Sequence, residues 1–159
     1  MNQSPSIIRR HIVCFGNPLH GDDGFGPAVY ERLAARERPP DLRLTEAGAP
    51  GPAALALFED CDEVIVVDAL APAGRPGRVH RPSLAAIMEE ATPAAHGLGL
   101  GYVLRALAAF PETSPAIKII GAEVETITPF HIGLSKPVAR AVDEVAMLLG
   151  AYFENDRHE

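Results

Sequence analysis

The sequence predicts a three-layer α/β/α sandwich built on a mainly parallel, twisted sheet of about five strands. Short apolar runs rich in β-branched residues alternate with amphipathic helical segments along the whole chain. The longest run, EVIVVDAL at Glu63–Leu70, is apolar without a break until Asp68, the pattern of a central strand covered on both faces. Glycine, proline and aspartate mark the ends of the runs as turns.

HIVCFG, residues 11–16, reads as a buried strand that stops at a Gly-Asn-Pro turn. Residues 26–36 read as a helix, because Val29, Leu33 and Ala34 recur at helical spacing and Pro39-Pro40 ends the segment. Residues 42–46 form the next expected strand, and AGAPG at 47–51 is a loop leading into a helix through Phe58. After Glu63–Leu70, residues 75–81 are expected as a lesser edge strand. Residues 97–110 carry Leu100, Val103, Leu104 and Leu107 on one helical face despite the glycines at their start. AIKIIGAEV at 116–124 is a further strand, and 135–153 closes the chain as a helix, with Ser135 near its N-cap and Pro137 in its first turn.

At 159 residues and 47% hydrophobic content the chain is expected to be one domain, 1–159, with loose termini at 1–9 and 154–159. A net charge of -7 without runs of Lys or Arg argues against a nucleic-acid partner. Cys14 and Cys61 sit among apolar residues, so neither a disulfide nor a thiolate zinc site is expected. Arg9 and Arg10 precede an apolar run too short for a signal peptide, and no stretch reaches the roughly 18 apolar residues of a membrane span. A cytoplasmic protein with no membrane partner is the expectation.

In an open α/β sheet, ligands bind at the carboxyl ends of the strands, and two loops there carry acids. The first, GNPLHGDDGFGP at 16–27, places Asp22 and Asp23 among glycines before a helix. A phosphate cradle is one reading, but the order is G-D-D-G-F-G and two carboxylates repel an anion. A helix cap is the plain reading for one of the pair, which leaves the other free as a hard ligand or an acid-base group. Asp68, at the end of the most buried strand, is either a turn residue or a carboxylate whose burial a metal would offset. His96 stands apart from His11, His20, His80, His131 and His158 by preceding a helix expected to begin near Gly97. A helix N-terminus disfavours the imidazolium and keeps the ring ready to coordinate.

With these residues in place, the sequence resembles the hydrogenase maturation endopeptidases that trim the large subunit of nickel-iron hydrogenases. The resemblance rests on G-N-x-L-x-x-D-D-G-x-G at 16–26, the apolar strand ending in Asp68, H-x-L-G-L at 96–100 and H-I-G-L-S at 131–135. It implies an α/β/α domain in which Asp23, Asp68 and His96 bind the metal and carry catalysis, with Asp22 the neighbour that competes for the role of Asp23. It also implies nickel carried by the precursor, for which zinc or cadmium could substitute in a crystal. Two departures stand out: Cys14 where the family often has glycine, and AGAPG in place of a GG[TS]xG loop, with Ala49 replacing a hydroxyl residue.

The expected function is therefore an endopeptidase that removes the C-terminal extension of the large-subunit precursor after nickel insertion. Two carboxylates and an imidazole give a mixed oxygen and nitrogen set that suits nickel or zinc. Neither a serine or cysteine nucleophile nor an H-E-x-x-H motif is evident. Two alternatives remain: a non-catalytic chaperone or binding module that checks nickel in the precursor, and a nucleotide-binding domain, which the acidic loop disfavours. His131 is expected to brace its turn by hydrogen bonding rather than to join the metal group.

Overall fold

The computed structural model describes residues 7–90, 99–125 and 127–154. Its strands are β1 (Arg10–Phe15), β2 (Leu42–Gly48), β3 (Glu63–Leu70), β4 (Val79–His80) and β5 (Ala116–Glu123). Its helices are α1 (Phe25–Ala34), α2 (Leu84–Glu90), α3 (Leu100–Ala108), α4 (Lys136–Leu149) and α5 (Ala151–Glu154). The five strands lie in the order β2-β1-β3-β5-β4, parallel except for β4, which runs antiparallel to β5 at the edge.

Alternation along each strand sorts side chains between two cores, because successive residues of a strand point to opposite faces. Ile12 and Cys14 of β1, Ile65 and Val67 of β3, and Ile120 and Ala122 of β5 face the side covered by α1 and α4. Val13, Phe15, Val64, Val66 and Ile119 face the other side, where Phe58, Ile87, Val103 and Leu104 cover them. These two helical layers on one sheet are the expected sandwich. Among the described residues no helix is long and apolar enough to cross a membrane.

Several boundaries differ from the sequence reading. The helix expected through Phe58 is a 3-10 helix, Pro52–Phe58, and the expected strand at 75–81 shrinks to Val79–His80. The helix expected over 97–110 is present from Leu100 to Ala108, with Gly99 as its N-cap. Glycine disfavours the first turn, and Pro111 follows closely at the other end. The closing helix is broken at Gly150 into α4 and α5. A Cβ at Gly150 would lie 2.2 Å from Arg36 Nη1, whose guanidinium sits 5.2 Å from the Phe153 ring centre.

Two glycines allow β1 to end against the loop it feeds. Gly16 has φ +140, and a Cβ there would fall 2.1 Å from the Asp23 carbonyl oxygen. A Cβ on Gly26 would come within 1.9 Å of the Phe15 carbonyl oxygen. The glycine spacing of the first loop thus serves close backbone packing, not an anion cradle.

Candidate metal site at the carboxyl end of the sheet

Asp22 and Asp23 lie in a 3-10 turn, Gly21–Gly24, which packs against β3. Neither caps α1, whose N-cap is Gly24 without a side-chain hydrogen bond. The sequence reading of a helix cap for one of the pair is corrected by what Asp22 does instead. Asp22 is only 3% exposed, and its Oδ1 accepts the Ser135 N–H at 2.7 Å. Its Oδ2 accepts the Glu125 N–H at 3.0 Å and the Ser135 hydroxyl at 2.8 Å. Ser135 is indeed the N-cap residue of α4, but its hydroxyl serves Asp22 and not the helix.

Asp23 points elsewhere. Its Oδ2 accepts the Asn17 N–H at 3.0 Å, and its side chain is partly buried. Its charge is felt at Asp68, so the two carboxylates share one neighbourhood at the carboxyl end of β3. Burial first, and the Asp23 charge second, push the Asp68 carboxyl well above its ordinary range, against the pull of the Ala69 N–H. Among the described residues neither acid forms an ion pair with Lys, Arg or His. Two like charges held together, one of them desolvated, favour a shared proton or a cation.

His96, expected to converge with Asp23 and Asp68, lies outside the described residues. Among the described residues no group of three His, Cys, Asp or Glu side chains is arranged to hold a metal. The helix that was to keep His96 neutral has its N-cap at Gly99, three positions further along the chain.

Protein nucleophiles are poorly placed among the described residues. Cys14 is fully buried, and burial pushes its thiol up to about 12, so it carries almost no thiolate at neutral pH. Ser135 donates to Asp22, Ser83 accepts the Ala86 N–H at 3.1 Å, and Ser114 donates to the Pro115 carbonyl at 3.3 Å. None of them is bonded to a histidine.

Two supporting residues escaped the sequence reading. Gly121 is paired with Asp68 across β3 and β5, and a Cβ there would lie 2.2 Å from the Asp68 carbonyl oxygen. The lone glycine inside AIKIIGAEV was the available signal. Glu123, 1% exposed, accepts the Ala73 and Arg75 N–H groups at 2.5 and 2.7 Å. It pins the loop after β3 to the end of β5. The Arg75 N–H, followed by that of Ala73 and the Arg78 charge, holds its carboxyl below the ordinary range despite burial.

His131 braces its turn through its main chain: its carbonyl oxygen accepts the Gly21 N–H at 2.7 Å, in a parallel bridge between His20 and His131. Its exposed side chain lines a cleft of about 130 Å³ with Asp22, Thr128 and Ser135.

Comparison with known proteins follows the same lines. The sequence profile of the hydrogenase maturation protease family matches residues 27–150, a span that includes Asp68 and His96 and begins just after Asp23. The hydrogenase expression/formation protein HoxM of Azotobacter vinelandii is 33% identical over 159 residues, covering 97% of this chain and 74% of its own. The hydrogenase 3 maturation protease of Escherichia coli is 26% identical over 145 residues, covering 91% of this chain and 90% of its own. The crystal structure of the hydrogenase maturating endopeptidase HybD from E. coli superposes with a TM-score of 0.77 at 27% identity, over 94% of each chain.

Proposed function

Because the chain belongs to the hydrogenase maturation protease family, we propose that it is an endopeptidase that removes the C-terminal extension of a nickel-iron hydrogenase large-subunit precursor. In this reading the precursor already holds nickel, and Asp23, Asp68 and His96 recognise that ion as part of the substrate. The observation that carries it is the carboxylate pair. Asp68 is half-buried at a strand end with Asp23 as its like-charged neighbour, and a cation would offset both the desolvation and the repulsion.

Two hard oxygens and one imidazole are a modest set for holding a borderline ion alone, and they suit an ion that arrives with ligands of its own. A correctly loaded precursor would then be separated from an empty one by binding energy. With Cys14 protonated and the serines engaged elsewhere, water is the acceptor of the peptide acyl group in this scheme. Its addition across the bond yields a new carboxyl terminus and a free amine. The setting for this step would be the cytoplasm, where the precursor is assembled.

The test is an in vitro processing assay with chelator-treated enzyme and two substrates, apo-precursor and nickel-loaded precursor, read by mass. The expected result is shortening of the loaded form alone. Equal cleavage of both would remove nickel recognition from the scheme. An uncut loaded precursor that nevertheless binds would favour the non-catalytic checking module.

A further inference from the structure

Beside the Asp23 turn lies an exposed apolar rim. Phe130 is 91% exposed, Ile132 78%, Ile127 55% and Leu19 51%. These residues belong together, because His20 and His131 are bridged in parallel and the His20 and Phe130 rings lie 5.8 Å apart. Phe130 also has φ 57, a left-handed conformation that is strained for a bulky side chain. An exposed aromatic in strained backbone is costly on both counts, and neither cost is met by packing within the described residues.

The segment is nonetheless rigidly seated. The Gly21 N–H holds the His131 carbonyl, Leu134 Cδ2 lies 3.6 Å from the position of a Cβ on Gly24, and Ser135 is bonded to Asp22. Phe130 is thereby held out from the same turn that carries Asp23. Residues 127–135 contain no Asp, Glu, Lys or Arg, in a chain of net charge -7. The rim adjoins the Asp23 turn, and its 127–135 segment carries no formal charge from Asp, Glu, Lys or Arg.

We infer that Phe130 is a specificity-determining residue, gripping an uncharged apolar side chain of the precursor segment next to the bond that is cut, with Leu19, Ile127 and Ile132 completing the apolar seat. The inference rests on the peptidase reading above and names the substrate chemistry of that site. A pre-set aromatic loses little conformational freedom on binding, so little of its contact energy goes into ordering it. A charged residue at the same place in the substrate would be rejected by desolvation.

The experiment measures steady-state processing of the nickel-loaded large-subunit precursor from the same organism by wild type, Phe130→Tyr and Phe130→Gly. Glycine removes both the ring and the strain. Phe130→Gly should keep or raise Tm, leave kcat within about twofold, and raise KM about tenfold or more, the equivalent of one aromatic anchor. Phe130→Tyr should restore KM. Replacing the apolar residues flanking the cut with Asp should raise KM for wild type and add little for Phe130→Gly, because the two changes remove one contact. An unchanged KM in Phe130→Gly, or effects that simply add, would overturn the inference while leaving the peptidase reading intact. So would sedimentation in which the same variant turns a dimer into a monomer without altering KM, since the rim would then seat a second copy. Precursor left uncut by wild type would overturn the peptidase reading itself, and this inference with it.

Discussion

Ser135 meets Asp22 twice, through its N–H at 2.7 Å and through its hydroxyl at 2.8 Å, across 113 positions of chain. The contact joins the turn after β1 to the start of α4. Asp22→Ala would leave the Ser135 and Glu125 N–H groups without their charged acceptor, at a cost of about 3 kcal/mol. Urea unfolding should show that loss, and processing should fall with it because the Asp23 turn is released.

Asp23 makes one backbone hydrogen bond from Asn17 and is partly exposed. Asp23→Asn should therefore change stability by less than about 1 kcal/mol, yet reduce processing strongly, because Asp22 is engaged with Ser135 and cannot stand in. A variant as active as wild type would remove Asp23 from the site.

Asp68→Asn separates stability from activity in the opposite sense. A carboxyl raised well above its ordinary 3.8 penalises the folded state increasingly as pH climbs from 3.8 toward the raised value, and the penalty is absent below 3.8. The amide removes it, so Tm of the metal-free variant at neutral pH should rise, by about 2–4 °C for each kcal/mol relieved. Processing should be lost. Calorimetry beside the processing assay gives both readings.

His11 supplies a pH dependence remote from the site. It is 2% exposed, with Nδ1 2.7 Å from the Leu57 carbonyl and Nε2 2.6 Å from Thr45 Oγ1. Burial lowers its pKa below the ordinary 6.5, opposed by the Leu57 hydrogen bond and helped by Arg43. The unfolded chain then takes up the proton first, so the contribution is complete above pH 6.5 and declines as pH falls below it. Thermal unfolding between about pH 5 and 6.5 should show this slope, and His11→Gln, which does not titrate, should flatten it.

Gly26→Ala and Gly121→Ala test the two close approaches. Their added methyl groups would meet the Phe15 and Asp68 carbonyl oxygens at 1.9 and 2.2 Å. Each should destabilise by about 1–3 kcal/mol or more, as overpacking does against backbone that cannot yield. For Gly121→Ala, activity should fall further than stability, since the displaced carbonyl belongs to Asp68.

The layered fold was legible because buried parallel strands leave unbroken apolar runs, and Val64–Val67 is one, fully buried and ending at Asp68. The division of labour between Asp22 and Asp23 was not. Adjacent identical residues look alike in sequence, and what separates them is Ser135 and Glu125, more than a hundred positions away. The short helix α2 left no clear signal, although the Ser83 hydroxyl accepts the Ala86 N–H at its start, because seven residues give too little periodicity to register. Gly150, where α4 gives way to α5, lies against the Arg36 guanidinium, a tertiary contact that periodicity along the helix does not register.

The order β2-β1-β3-β5-β4 also governs when the protein can exist. Arg10 pairs with Leu42 and with Glu63, and Glu63 pairs with Ala116, so the parallel ladders join residues 32, 53 and 53 positions apart. Such separations place loop closure before reward and put the chain among the slower folders. β3 gains its second neighbour only after β5 has been made, and the Asp22 clamp must wait for Ser135. A ribosome-bound chain ending short of that serine would hold its aspartates in an unassembled turn, so the proposed cleavage must wait for synthesis through Ser135.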